Sequence, residues 1–214
     1  MKTTLKLFTL LFVLTAFVAC SDDDEGPVLI AVESNRASNI PAPQNGGFGQ
    51  GEISGDFTKF SFATGAVTDS ETEWDIAFRG LRIAVNGGTP TGTNDEPVRN
   101  GNAAAAIVVD TTFAEVTSAD GLTFEQDATG AFAIPAGSDN GWYNYNGMIN
   151  VVTPLAGRIL VFRTHDGKYA KVEILSYYRD APSEITPEVA TNDFRFYTFN
   201  YVYNPNEGET SLTQ

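Results

Sequence analysis

Side chains able to hold a metal or attack a substrate are scarce in this chain. It has one cysteine, Cys20, one histidine, His165, and two methionines, Met1 and Met148. Thioether sulfur, imidazole nitrogen and phenolate oxygen can each ligate a transition metal. Met148, His165 and the tyrosines are therefore the candidates for coordination chemistry. All eight tyrosines fall between Tyr143 and Tyr203, and Tyr143 and Tyr145 share a segment with Met148. A mixed pair of Met148 and His165 is hard to bring to one metal ion. His165 falls in a tight turn after a strand read at 158–163, and Met148 lies in the loop before it. Six extended residues span roughly 20 Å at about 3.3 Å each. The pair works only if loop 147–156 doubles back along the strand. Plainer roles stay open: His165 as an exposed turn residue with little to tune it, Met148 as a gap-filler, and the tyrosines as core and sheet cover. The sharper reading of Tyr143 and Tyr145 is a stacking platform for a flat ligand or a sugar ring.

Catalysis finds no support. There is no nucleophile elbow, P-loop or His-Glu-x-x-His pattern, and no cysteine beyond Cys20. Paired carboxylates for glycosidic chemistry cannot be picked out among 27 acidic residues. The net charge is −14 and becomes −16 without Lys2 and Lys6. Such a balance argues against nucleic acid, because phosphate contacts need a basic patch. The run Asp22 to Glu25 lacks the spacing of a calcium loop. Loop 86–102, with Asn94-Asp95-Glu96, reads as solvated and at most a weak cation site.

The elements that must position these residues read as strands. Phe60-Ser61-Phe62 alternates. Trp74, Ile76 and Phe78 alternate on one face, and Leu81, Ile83 and Val85 follow after a shift at Gly80. Gly80 marks a bulge or bend. Ala103 to Val109 is an apolar run too short for a confident helix. Arg158 to Arg163 and Tyr169 to Tyr178 form a hairpin around Asp166-Gly167, a dipeptide that favours such turns. In its second strand Ala170, Val172 and Ile174 oppose Lys171 and Glu173. A last strand runs from Phe194 to Tyr203, with a short helix near 181–192. No sustained helical stripe and no repeat is visible, so the fold class is all-β, a single antiparallel domain over 56–214. Residues 20–55, rich in Gly, Pro, Asn and Asp, read as a flexible acidic tether, with Val28 to Val32 as an edge strand.

The first nineteen residues read as a signal peptide. Lys2 and Lys6 precede an apolar run, Leu7 to Val18, too short to span a bilayer comfortably. Phe17-Val18-Ala19-Cys20 resembles the lipobox of bacterial lipoproteins. The resemblance implies cleavage before Cys20 and lipidation of its thiol, the only contact with the membrane. The run Ser21 to Glu25 resembles the export tag of Bacteroidetes surface lipoproteins, which implies a cell-surface position on the outer membrane.

Three stretches, in order and spacing, resemble the HmuY-like family of Bacteroidetes haem-binding lipoproteins. They are Trp74-Asp75-Ile76-Ala77-Phe78-Arg79 with Asn86-Gly87-Gly88-Thr89; Gly141-Trp142; and Val161-Phe162-Arg163-Thr164 with Asp166 to Val172. The resemblance covers roughly residues 55–203. It implies an all-β, hand-like fold and non-enzymatic haem scavenging for iron acquisition, with transfer to an outer-membrane receptor. Family members ligate the iron with two His or two Met, one from the loop after the Gly-Trp pair. Here that loop holds Met148. The other ligand comes from the segment before Gly141, and Phe124 to Asn140 contains neither residue type. Three readings follow: haem or porphyrin binding with Met148, Tyr143 and Tyr145 at the site; the same fold without haem ligation, serving another ligand or partner protein; and a glycan-binding or adhesion module.

Overall fold

A computed structural model describes residues 28–213. Cys20, its lipobox and the signal peptide lie outside the described residues. Among the described residues no helix is long and apolar enough to cross a membrane.

Three antiparallel sheets make up the fold. The largest has the strand order β1-β11-β10-β9-β6, where β1 is Glu33–Pro41, β6 Ala104–Val108, β9 Ile159–Arg163, β10 Tyr169–Tyr178 and β11 Phe194–Asn204. The second has the order β3-β2-β4-β5, from Ala66–Val67, Thr58–Ser61, Ile76–Arg79 and Arg82–Val85. The third is a hairpin of β7, Tyr143–Asn146, and β8, Val151–Pro154. The one helix among the described residues, α1 (Pro187–Asn192), starts at Thr186, whose side chain accepts from the Val189 amide, and has proline in its first turn.

The two larger sheets face each other across an aromatic core. Alternation along β2, β4 and β5 turns Phe60, Ile76, Phe78, Ile83 and Val85 inward, to meet Leu160, Phe162, Val172, Tyr197 and Phe199 of the larger sheet. Ring centroids lie 5.4 Å apart for Phe60–Phe199, 5.7 Å for Phe62–Phe162 and 4.5 Å for Phe78–Tyr197, the spacing of favourable aromatic pairs. Trp74 departs from the expected face. It stands outside the strand and packs with Phe57, Ala77 and Ala84 on the opposite side of the sheet.

Strand β9 is apolar on both faces because both are covered. Ile159 and Val161 pack with Val116, Ala119 and Leu212, contributed by segments that cross the outer face. The same cover corrects Lys171, expected on a wet face. It is 3% exposed, and its ammonium donates to the carbonyls of Phe113 (2.7 Å) and Val116 (2.8 Å).

Two further expectations change. Residues 28–32 form no strand; the strand begins at Glu33 and pairs along β11 from Glu33↔Tyr203 to Pro41↔Phe196. Part of the stretch read as tether is thus an edge of the main sheet. Gly80 is neither bulge nor bend but the first residue of a two-residue hairpin turn between Arg79 and Arg82, with φ +52°. A side chain there would also press against the Gln44 side chain.

Loop 86–102 is folded rather than solvated. The Arg99 guanidinium reaches Glu96 and Asp127, both at 2.7 Å, and all three side chains are nearly excluded from water. Glu96 also accepts from Thr91 and Thr93. Thr and Arg donors hold its carboxyl below the usual range, whereas burial pushes Asp127 up.

Candidate functional site

A cavity of about 700 Å³ opens where β7–β8, the far ends of β10 and β11, and the β4–β5 turn converge. Regular strands cannot build it, because successive side chains point to opposite faces. Here neighbours share a face. Tyr177 and Tyr178 both line the cavity, as do Phe194 and Arg195. The register between β10 and β11 breaks at this point: Ser176 pairs with Thr198, while Tyr178 pairs with Phe194. Two extra residues of β11 are looped into the pairing, and Arg195 takes a left-handed conformation, φ +71°. The Ser176 hydroxyl closes the opposite irregularity by accepting from the Tyr178 amide at 3.0 Å and donating to its carbonyl.

The structure brings Tyr143 and Tyr145 together on this wall. Tyr143 is 5% exposed, and its hydroxyl accepts from the Gly137 amide at 3.1 Å. Tyr145 is 44% exposed and donates to Asn150 Oδ1 at 2.7 Å. The Tyr178 hydroxyl accepts from the Val152 amide at 2.9 Å. Burial raises the pKa of Tyr143, Tyr177 and Tyr178, so these phenols stay protonated. Behind them Trp142 packs on Tyr143, Tyr177 and Tyr197 and donates its indole N–H to the Leu81 carbonyl at 3.1 Å.

Met148 is not brought to the cavity. It stands at the tip of the β7–β8 hairpin, 91% exposed, outside the lining. Among the described residues no His, Met, Cys or Lys lines the cavity, and no Asp or Glu. Its charged groups are Arg82 and Arg195. Sequence reasoning missed both arginines, and it missed Phe48 and Gln50, which reach the cavity from the stretch read as tether. The doublets Tyr177-Tyr178 and Phe194-Arg195, which break alternation near the ends of good strands, were the available signal.

His165 serves elsewhere, and its expected isolation is corrected. Its ring Nδ1 lies 2.8 Å from Asp75 Oδ1, and its backbone amide donates to the same oxygen at 2.9 Å. The other Asp75 oxygen accepts from the Phe62 amide at 2.7 Å. Asp75 is 1% exposed. The hydrogen bond to Asp75 raises the His165 pKa, against the opposing effect of burial. Among the described residues, Asp75, His165 and Asp166 form the one cluster with metal-ligand spacing, their donor atoms within 4.8 Å. These donors already have protein partners: Asp166 accepts from Thr164 and pairs with Lys168, both at 2.6 Å. The cluster fastens the β9–β10 turn to the smaller sheet.

The residues of the sequence signature have similar structural work. The Asn86 side-chain amide donates to the carbonyls of Thr72 and Trp74, and its oxygen accepts from the amides of Asn100 and Gly101. Buried Arg79 lies over the Phe57 ring and donates to the carbonyls of Gly55 and Asn94.

Comparison with known proteins gives the following. No curated protein matches the chain. Among solved structures, one from Bacteroides vulgatus, described as an HmuY-like heme binding protein, shares 16% identity at TM-score 0.49, covering 81% of this chain and 93% of that one. The apo HmuY analog of Tannerella forsythia shares 14% at TM-score 0.48, covering 84% and 100%. A protein of Bacteroides fragilis described as a lipoprotein shares 15% at TM-score 0.47, covering 84% and 95%. The family model described as HmuY protein matches residues 54–190. That span holds the Trp74–Arg79 segment, the Asn86 staple, Trp142 and the β9–β10 hairpin, and the chain belongs to the HmuY family.

Proposed function

We propose that this protein is a non-catalytic surface lipoprotein that binds haem or a related porphyrin for iron acquisition. It is anchored through Cys20 to the outer membrane and passes its ligand to an outer-membrane receptor. The observation that carries the reading is the aromatic cavity. Its volume of about 700 Å³ lies in the usual range of small-molecule sites, roughly 300–1,000 Å³. Tyr143, Tyr145, Tyr177 and Phe194 offer it flat apolar surface. Met148 is the candidate iron ligand, at the tip of the hairpin that carries Tyr143 and Tyr145. A haemin titration of the purified domain tests the reading. A saturable Soret shift is expected, and none in either oxidation state would refute it.

A second reading keeps the cavity and drops the iron ligand. It is favoured by the lining, which has no His or Met, and by tyrosine hydroxyls held protonated and hydrogen-bonded. Met148→Ala separates the two. Under iron ligation it weakens haemin binding about tenfold or more and leaves metal-free protoporphyrin binding unchanged. Under the second reading neither ligand responds.

A further inference from the structure

The charge of the cavity runs against the charge of the molecule. The chain carries 27 acidic and 13 basic residues, yet among the described residues no carboxylate lines this cavity and two arginines do. Neither Arg82 nor Arg195 is in an ion pair among the described residues, although other basic side chains find one, as Lys59 does with Glu71 and Arg179 with Asp193. Arg82 makes no side-chain hydrogen bond among the described residues. Arg195 gives one N–H to the Gln44 carbonyl at 2.6 Å, lies over the Phe194 ring and interacts with the Tyr177 hydroxyl, but meets no carboxylate among the described residues. A guanidinium has five N–H donors in a planar fork, and a carboxylate takes two of them at once.

The backbone at Arg195 adds an independent observation. A non-glycine residue in the left-handed region costs on the order of 1 kcal/mol or more, and such strain collects where a side chain must be aimed. The register break that imposes it turns Arg195 to the same side as Phe194. Without the break, alternation would send one of the two away from the cavity.

We infer that Arg82 and Arg195 form an anion-recognising pair that makes this cavity selective for a flat ligand bearing carboxylate groups. The inference rests on the porphyrin reading and specifies what that site recognises: ring stacking on the tyrosines and carboxylate capture by the arginines. Iron is not required for either contact.

The test compares protoporphyrin IX, a dicarboxylic acid, with its dimethyl ester in the same fraction of dimethyl sulfoxide. Quenching of Trp142, which packs on two tyrosines of the wall, reports binding. The free acid is expected to bind at least tenfold more tightly than the ester. Arg82→Gln and Arg195→Gln are each expected to weaken the acid at least tenfold and leave the ester unchanged. Arg82→Lys and Arg195→Lys should recover part of the loss. Arg36→Gln, at a position outside the cavity, should change nothing. Equal binding of acid and ester, or full acid affinity in both glutamine variants, would overturn the pair's role and leave the porphyrin reading standing. If neither compound quenches, the porphyrin reading falls and this inference with it. Urea melts of each variant separate lost binding from lost fold.

Discussion

His165 shows how one hydrogen bond changes the standing of a residue. Read alone it is a turn residue; beside Asp75 it joins two sheets. Its pKa is raised in the folded state, so the native protein holds the proton more tightly than the unfolded chain. The resulting stabilisation is fully present below the unfolded value near 6.5 and is lost as pH rises through the higher folded value. Unfolding free energy should therefore fall on going from mildly acid to mildly alkaline conditions, by an amount on the order of 1 kcal/mol, and melting temperature with it. His165→Asn should flatten that part of the profile. A single histidine makes the titration directly readable by imidazole NMR; a folded pKa at or below 6.5 would contradict the assignment.

Among the elements, the β9–β10 hairpin was the most legible. Its Asp-Gly turn and alternating strand fix register locally, and β10 spans the Tyr169 to Tyr178 expected. Strand β1 was illegible because an edge strand buries little: only Ala37 and Ile40 of its nine residues are inside. Loop 86–102 looked wet because its composition is polar, and composition cannot say whether carboxylates meet an arginine. Arg99→Ala tests that network. It leaves Glu96 and Asp127 buried without their cation, and such a break costs about 3–5 kcal/mol. Chemical denaturation should show the loss, with no comparable effect from Lys59→Ala at an exposed pair. The cavity arginines were beyond sequence reading for a different reason. The direction of Arg195 depends on a register break and its own left-handed backbone, and period-two reasoning assumes that neither occurs; Arg82 lies in a regular strand, and only the convergence of distant segments makes it a cavity residue.

On the scale of the whole molecule, the family signature and the cavity occupy different ground. Trp74, Arg79, Asn86 and the Asp166-Gly167 turn hold the sheets together, so the motif reports the fold more directly than the ligand. The fold class was therefore readable, whereas Tyr177, Tyr178, Arg82 and Arg195 were not. The edge strand also alters where the domain begins. A chain started at Asp56 would lack β1 and the cavity residues Phe48 and Gln50. It should expose the β11 edge, aggregate and lose porphyrin binding, whereas a chain started at Val28 should behave as the longer one does. Light scattering with the same titration distinguishes them. Cys20→Ala should move the protein from the membrane fraction to the soluble one if the thiol is the anchor.

The pairing of β1 with β11 also sets a leash. If Cys20 carries the lipid, as proposed, the lead ends no later than Ile30, whose amide and carbonyl are both held by the Asn206 side chain, a contour of at most roughly 35 Å from Cys20. A lipid-held domain on so short a lead would stay close to the head groups. Any receptor meant to collect its cargo would have to meet it there.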